Sequence, residues 1–185
     1  MDDSKADEML RRIEESAYRR YLPIVGRRRG RILSESVRKH NPRRILEVGT
    51  LVGYSAILMG KQLGEGSEII GIEFDEDEAE QARINISDAM LKPNVEVLVG
   101  DALKILPGLE GSFDMVFLDA AKHQYLDYLR LVEDKLHRGS VVLADNAGWM
   151  SHSIRGYLDY VRNSGRYRSK LIRSDGDGVE LSIRL

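Results

Sequence analysis

From residue 43 onward, short and continuous apolar runs alternate with amphipathic segments, and this alternation leaves few folds open to the chain. The runs are RILEV, EIIGIE, VEVLVG, FDMVFLD and SVVLAD. Continuous apolar runs are typical of central parallel strands that helices cover on both faces. Between them, apolar residues such as Tyr125, Leu129 and Val132 recur at helical spacing. We therefore predict a doubly wound, mostly parallel α/β sheet with helices on both faces.

The two ends of the chain complete this fold. The last two apolar runs, YRSKLIR and VELSIRL, are joined through residues 175–178 and read as an antiparallel hairpin that brings the sheet to about seven strands. At the other end, residues 3–20 and 27–40 have helical spacing. Further helices are predicted over residues 54–63, 75–89, 102–106 and 151–163. A chain of 185 residues suits one domain, which we divide into a helical cap (1–42) and an α/β core (43–185).

Each of the first five predicted strands finishes with an acidic residue. These are Glu47, Glu73, Asp101, Asp119 and Asp145. In an open parallel sheet, such strand ends converge on the edge where ligands bind. Five neighbouring carboxylates repel one another unless a cation or hydroxyl groups join them, so the edge calls for one or both. The alternative is that each acid caps the helix that follows it.

The first strand leads into a glycine turn that favours a nucleoside ligand. Gly49 and Gly53 let the backbone turn tightly before the helix that begins at Tyr54. Glu73 ends the second strand twenty residues after Gly53, at the position from which a carboxylate accepts hydrogen bonds from ribose hydroxyls. No basic residue follows the glycines to neutralise phosphates. The acidic surroundings instead suit a nucleoside that carries a positive charge.

Several longer segments resemble a known family. ILEVGTLVGYSAILM, GIEFDEDEAEQARINI, GDALKILP, FDMVFLDAAKHQYLDYL and GSVVLADNAGW look like class I S-adenosylmethionine methyltransferases with a Rossmann-like fold, and more narrowly like cation-dependent O-methyltransferases of the catechol and caffeoyl-CoA type. The most specific part is Asp119-x-x-Lys122 followed by Asp145-Asn146. The resemblance implies that S-adenosylmethionine is the methyl donor. Its predicted binding residues are Val25, Glu47, Gly49, Gly53, Tyr54, Ser55, Glu73, Asp101, Ala102 and Asp119, with Glu73 on the ribose, Asp101 and Ala102 on the adenine, and Val25 and Ser55 near the methionine portion.

The same resemblance implies a reaction. Asp119, Asp145 and Asn146 offer hard oxygen ligands for a divalent cation, and the resemblance implies that this cation is Mg²⁺. A substrate with two adjacent oxygens could complete the coordination, which favours a small hydroxylated aromatic acceptor. Lys122 would be the general base, with Asp119 beside it. The alternatives are an exposed lysine in a first helical turn and, for Asp145-Asn146, a turn that caps a helix.

A basic stretch keeps a second acceptor open. Residues 19–44 hold ten Lys or Arg and one acid, whereas residues 45–185 hold fifteen bases and twenty-three acids. This face could bind the phosphates of a tRNA or of coenzyme A, and some bacterial relatives methylate a hydroxylated uridine. Charge runs on helices are, however, usually solvated faces, and we expect no aromatic residues interleaved with these arginines to stack bases. A tRNA is therefore the alternative partner.

Two other classes of protein share part of this pattern. A nicotinamide-dependent oxidoreductase would share the sheet and Glu73, but no Tyr-x-x-x-Lys spacing supplies its base. A non-catalytic cofactor-binding module would have no need of Lys122 together with Asp145 and Asn146. The lack of cysteine, of a signal peptide and of a long apolar run favours a cytoplasmic protein without a membrane segment.

Three more residues are candidates for contacts with the acceptor. Trp149 could stack on an aromatic acceptor, His123 could touch the substrate or face outward, and Asp175 is the nearest candidate for a further acid on the second acceptor hydroxyl. By likeness to the family, we also expect a homodimer.

Overall fold

The computed structural model describes residues 3–148, 151–174 and 176–185. A seven-stranded sheet runs through the described chain, with strand order β3-β2-β1-β4-β5-β7-β6. Its strands are β1 (Arg44–Val48), β2 (Glu68–Glu73), β3 (Asn94–Val99), β4 (Phe113–Leu118), β5 (Leu136–Ala144), β6 (Tyr167–Ser174) and β7 (Asp177–Arg184). Strands β1 to β5 are parallel to one another, and β7 pairs antiparallel with both β5 and β6. The predicted doubly wound sheet and its C-terminal hairpin are confirmed.

Helices cover both faces of this sheet, as predicted. They are α1 (Asp3–Arg20), α2 (Gly26–His40), α3 (Tyr54–Gly60), α4 (Glu76–Asp88), α5 (Ala102–Ile105), α6 (Tyr125–Val132) and α7 (Arg155–Asn163). Short 3₁₀ turns occupy Leu106–Gly108, Lys122–Gln124, Glu133–Lys135 and Ser151–Ile154. Among the described helices, none combines the length and the apolar character that crossing a bilayer requires.

Alternate residues of each strand build two cores. On one face, Ile45 of β1 and Phe117 of β4 pack with α1 to α4; on the other, Leu46 and Val116 pack with α5 to α7. This alternation follows from the period of two along a strand, and burial on both sides explains why the strands read as continuous apolar runs. Helices α1 and α2 contribute residues such as Ile13 and Leu33 to the first core. The division at residue 42 stays a prediction.

Some element boundaries differ from the prediction. Helix α3 ends at Gly60, although the helix was predicted to reach residue 63, and the helix predicted from residue 151 begins as a 3₁₀ turn. Strand β5 begins at Leu136, which pairs with Phe113, but Met115 already pairs with Val141. The extra residues of β5 form a bulge around Gly139, whose φ of 93° strongly favours glycine.

The hairpin turn is shorter than predicted. Ser174 pairs with Asp177 and Arg173 with Gly178, so Asp177 and Gly178 belong to β7 and not to the turn. A side chain at position 178 would come within 2.6 Å of the Ile172 carbonyl oxygen, which explains why glycine fits there. This correction places Asp177 at the start of a strand that lies beside β5.

Candidate active site

A cavity of about 700 Å³ opens at the carboxyl ends of the parallel strands. This is the edge where the strand-end acids were predicted to converge. Most of the predicted site residues line its wall, namely Val25, Gly49, Tyr54, Ser55, Glu73, Asp101, Ala102, Asp119, Lys122, Asp145 and Asn146.

Two predicted residues, Glu47 and Gly53, lie outside the wall. Gly53 precedes α3 with a φ of 87° and packs against Ile86 and the Ala82 carbonyl of α4, so its tight turn serves the packing of two helices. Glu47 is fully buried beneath the cavity. Neither of its carboxylate oxygens has a hydrogen-bond partner among the described residues. Burial raises the pKa of Glu47 to about 8, although the nearby hydroxyls of Ser55 and Thr50 oppose the rise.

The glycine turn after β1 brings the backbone of two strands together. Gly49 has a φ of 94°, and its amide donates to the Ile72 carbonyl at 2.9 Å. A Cβ atom at this position would collide with the carbonyl oxygen of Asp119. Only glycine fits this approach, and the cavity floor between β1 and β4 is therefore pure backbone at this point.

Backbone amides hold the two acids on the β2–β3 side of the cavity. Glu73 accepts hydrogen bonds from the amides of Leu51 at 2.7 Å and Phe74 at 2.7 Å. Asp101 accepts from the amide of Leu103 at 2.9 Å and so caps α5, as the capping alternative predicted. These bonds fix the carboxylates at the wall, where they remain able to accept hydroxyl donors from a ligand.

Lys122 and Asp119 form a pair at the end of β4. The ammonium of Lys122 donates to Asp119 Oδ1 at 2.7 Å and to the hydroxyl of Tyr125 at 3.0 Å. Burial raises the pKa of Asp119, and the charge of Lys122 opposes the rise. Tyr125 is fully buried, and burial together with the two nearby carboxylates raises the pKa of its phenol well above the usual value. The lysine is thus held by two groups and is not the solvated lysine of the alternative.

Asp145, at the end of β5, faces a cation that the sequence-based prediction missed. Its side chain is 1% exposed, and Oδ2 lies 3.2 Å from Nη1 of Arg29 on α2. Burial and the charge of Asp119 raise the pKa of Asp145 to about 7 against the opposing charge of Arg29. Arg29 stands within a run of arginines, and no sequence signal separated it from its solvated neighbours.

Asp177 is the second residue that the sequence-based prediction missed. Its Oδ2 accepts from Asn146 Nδ2 at 2.8 Å and from Arg29 Nη1 at 3.0 Å, and its Oδ1 accepts from the Gly148 amide at 2.9 Å. Burial raises the pKa of Asp177, but these hydrogen bonds and the charge of Arg29 outweigh burial and hold the pKa below its usual value. The prediction missed Asp177 because it assigned this residue to the hairpin turn. Asp175, the predicted further acid, lies outside the described residues.

The ends of β4 and β5 carry oxygen atoms of the kind that bind a divalent cation. Asp145 Oδ1 is buried and has no hydrogen-bond partner among the described residues, and the Asn146 oxygen takes no part in the bond to Asp177. Asp119 is close enough to raise the pKa of Asp145. Among the described residues, no three acidic or imidazole side chains form a metal-binding group. The oxygen ligands on offer are the carboxylates of Asp119 and Asp145 and the side-chain amide of Asn146, and hard cations bind oxygen groups of this kind.

His123, Arg19 and Arg20 do not line the cavity. His123 is exposed, which agrees with the outward-facing alternative. Trp149 is outside the described residues. In the basic stretch, Arg19 and Arg20 stand between two tyrosines, Tyr18 and Tyr21, that are 88% and 93% exposed. The sequence-based prediction had overlooked these aromatic side chains beside the arginines.

Comparisons with known proteins agree with this geometry. The sequence pattern of a family described as O-methyltransferase matches residues 2–164. Catechol O-methyltransferase B of Danio rerio is 36% identical over 182 residues, which are 91% of this chain and 68% of that protein. Catechol O-methyltransferase of Bos taurus is 35% identical over 150 residues, which are 77% of this chain but only 54% of that protein. A crystal structure of the O-methyltransferase from Bacillus cereus in complex with SAH superposes with a TM-score of 0.87 and 26% identity, covering 96% of this chain and 91% of that one. By its residues, its fold and these likenesses, the chain belongs to the O-methyltransferase family.

Proposed function

We propose that this protein transfers a methyl group from S-adenosylmethionine to a hydroxyl of a small catechol-like or phenolic acceptor, with the help of a divalent cation such as Mg²⁺. The observation that carries the proposal is that Lys122, Asp119 and Asp145 meet in the same cavity as Glu73. The catechol O-methyltransferases among the relatives and the SAH complex of the structural neighbour support it.

Donor binding falls to the β1–β3 side. Glu73 accepts hydrogen bonds from the ribose hydroxyls, and Asp101 with Ala102 meets the adenine. Gly49, Ser55 and Val25 surround the methionine portion. Tyr54 also lines the cavity, and its hydroxyl donates to Glu14 at 2.6 Å. The acidic surroundings favour a ligand with a permanent positive charge over its neutral product.

Proton removal falls to the β4–β5 side. When bound, S-adenosylmethionine supplies the methyl group and the divalent cation supplies positive charge beside the acceptor oxygen. Lys122 in its uncharged form takes the proton of the acceptor hydroxyl on Nζ, and Asp119 and Tyr125 hold that nitrogen in place. Asp119, Asp145 and Asn146 hold the cation.

The proposal is tested with labelled S-adenosylmethionine and a catechol. Methyl transfer should be lost when a chelator is added and should return with Mg²⁺. Transfer that continues in the chelator would show that the cation has no part in the reaction. Binding of S-adenosylmethionine, measured by calorimetry in the absence of acceptor, tests the donor site separately.

A tRNA is the second candidate acceptor, favoured by the exposed tyrosines beside Arg19 and Arg20. Aromatic side chains next to arginines can stack on bases while the cations meet phosphates. The same assay with bulk tRNA decides between the acceptors. A loss of tRNA methylation in R19Q/R20Q that grows with salt, with catechol methylation unchanged, would favour the tRNA.

A further inference from the structure

Arg29 brings a fixed positive charge into the candidate metal site. Its side chain is 22% exposed and reaches from α2 to the end of β5 and the start of β7. Nη1 lies 3.2 Å from Asp145 and 3.0 Å from Asp177, and Nε donates to the Val25 carbonyl at 3.3 Å. The guanidinium therefore joins three separate elements around one buried carboxylate.

The two acids depend on Arg29 to different degrees. Asp177 also accepts hydrogen bonds from Asn146 and from the Gly148 amide. Asp145 has one oxygen beside Arg29 and the other without a hydrogen-bond partner among the described residues. A buried carboxylate is costly unless a positive charge compensates it. In the protein alone, and among the described residues, the cation that forms an ion pair with Asp145 is Arg29, whereas Lys122 is hydrogen-bonded to Asp119.

A divalent cation on Asp119, Asp145 and Asn146 would face the same carboxylate as Arg29. Two positive charges that share one buried carboxylate repel each other strongly, because little water screens them. We propose that Arg29 is an internal counter-ion that competes with the divalent cation for Asp145. It therefore weakens metal binding and stabilises the metal-free protein. This inference rests on the proposed metal site and adds a residue that sets its affinity.

The competition is tested with Mn²⁺ and the whole chain of 185 residues, without S-adenosylmethionine. Free Mn²⁺ is measured by electron paramagnetic resonance during titration of the wild type, R29Q and R31Q. Arg31 lies on the same helix, is exposed and stands outside the cavity wall, so R31Q removes the same charge elsewhere. We expect the Kd for Mn²⁺ to fall about tenfold in R29Q, an estimate that corresponds to about 1.4 kcal/mol, and to change less than about twofold in R31Q.

Thermal unfolding gives an independent readout. In a chelator, R29Q should melt at a lower temperature than the wild type, and Mg²⁺ should raise its Tm by more than it raises that of the wild type. If R29Q does not fold, R29M serves instead, because it keeps much of the aliphatic length of the side chain.

Each outcome separates this inference from the function on which it rests. Mn²⁺ binding that is equal or weaker in R29Q, while the wild type binds Mn²⁺, overturns the role of Arg29 and leaves the metal site standing. The absence of Mn²⁺ binding in every protein overturns both. D145N should abolish Mn²⁺ binding with or without R29Q, and binding that survives in D145N places the cation elsewhere.

Discussion

The two halves of the cavity hold their acids in opposite ways. On the β1–β3 side, Glu73 and Asp101 accept hydrogen bonds from backbone amides, and no ion pair to a Lys or Arg is found for them among the described residues. On the β4–β7 side, Asp119 pairs with Lys122, and Asp145 and Asp177 share Arg29. On the β1–β3 side, no basic side chain among the described residues compensates the negative charge of the acids, whereas on the β4–β7 side Lys122 and Arg29 compensate it.

This difference shows how one sheet edge can serve two ligands. Uncompensated carboxylates favour a donor whose positive charge is permanent. Carboxylates that already carry a side-chain cation can exchange it for another cation, or use it to move a proton. Substitutions on the two sides should therefore affect different kinetic quantities, and three variants test this expectation.

The largest effect is expected for D145N. The variant keeps the shape of the side chain but removes the charge that would hold the cation, and we expect kcat to fall roughly 1,000-fold, because a bound metal contributes several kcal/mol to the transition state. The Kd for S-adenosylmethionine should change little, since Glu73 and Asp101 are untouched. D134N, an exposed acid in a 3₁₀ turn, is the control. A large loss of donor affinity in D145N would contradict the division of the cavity.

K122M should come next, with a loss of roughly 100- to 1,000-fold in kcat at neutral pH, as expected when a general base is removed. The rate of methyl transfer in a single turnover, measured at saturating donor and acceptor, should fall by the same factor. Lys104 on α5 is exposed, and K104M should leave this rate unchanged. If K122M keeps the wild-type rate, another group removes the proton and Lys122 serves only to hold Asp119.

E73Q should have the converse effect on the other side of the cavity. Loss of charge-assisted hydrogen bonds to the ribose should raise the Kd for S-adenosylmethionine roughly 10- to 100-fold, measured by calorimetry. At saturating donor, kcat should stay within about threefold of the wild type, because an interaction made equally in the ground and transition states changes only binding. E76Q, in the exposed first turn of α4, is the matched control. A drop in kcat with unchanged affinity would refute the role of Glu73.

The last prediction concerns stability, not kinetics, and the buried carboxyl of Glu47. Its pKa is about 8 in the folded protein, compared with an ordinary value of 4.5, so between these pH values the folded state holds a proton that the unfolded state has lost. The free energy of unfolding should therefore fall as pH rises from about 4.5 to 8, by at most about 1.4 kcal/mol per pH unit from this group. Urea unfolding of E47Q should show a shallower decline, and E65Q in an exposed turn should keep the wild-type slope. Equal slopes in E47Q and the wild type would show that Glu47 does not bind that proton.

The sequence predicted the parts of this site that follow a local pattern. Glu73, Asp119 and Asp145 were found because each ends an apolar run, and parallel strands bring such ends to one edge. Arg29 and Asp177 could not be found in this way, since their roles depend on contacts between distant parts of the chain. Arg29 was hidden among similar arginines, and the position of Asp177 depended on one hairpin turn.

The errors in the predicted ends of strands and helices also arise where no local sequence pattern marks the structure. Core burial produces strong periodic patterns, so the strands were predicted within a few residues. The bulge in β5 lies around a single glycine, and the apolar pattern marks neither this bulge nor the end of α3.

The contact between Arg29 and Asp177 spans 148 positions, from the second helix to the last strand. During synthesis on the ribosome, β1 to β5 emerge before Asp177 does, so Asp119 and Asp145 are present while the guanidinium still lacks its second carboxylate. Since β7 inserts between β5 and β6, the pocket acquires its final electrostatic balance only when the C-terminal hairpin has docked. Truncations near the end of the chain should therefore damage the catalytic centre even though they remove none of the residues that bind the methyl donor.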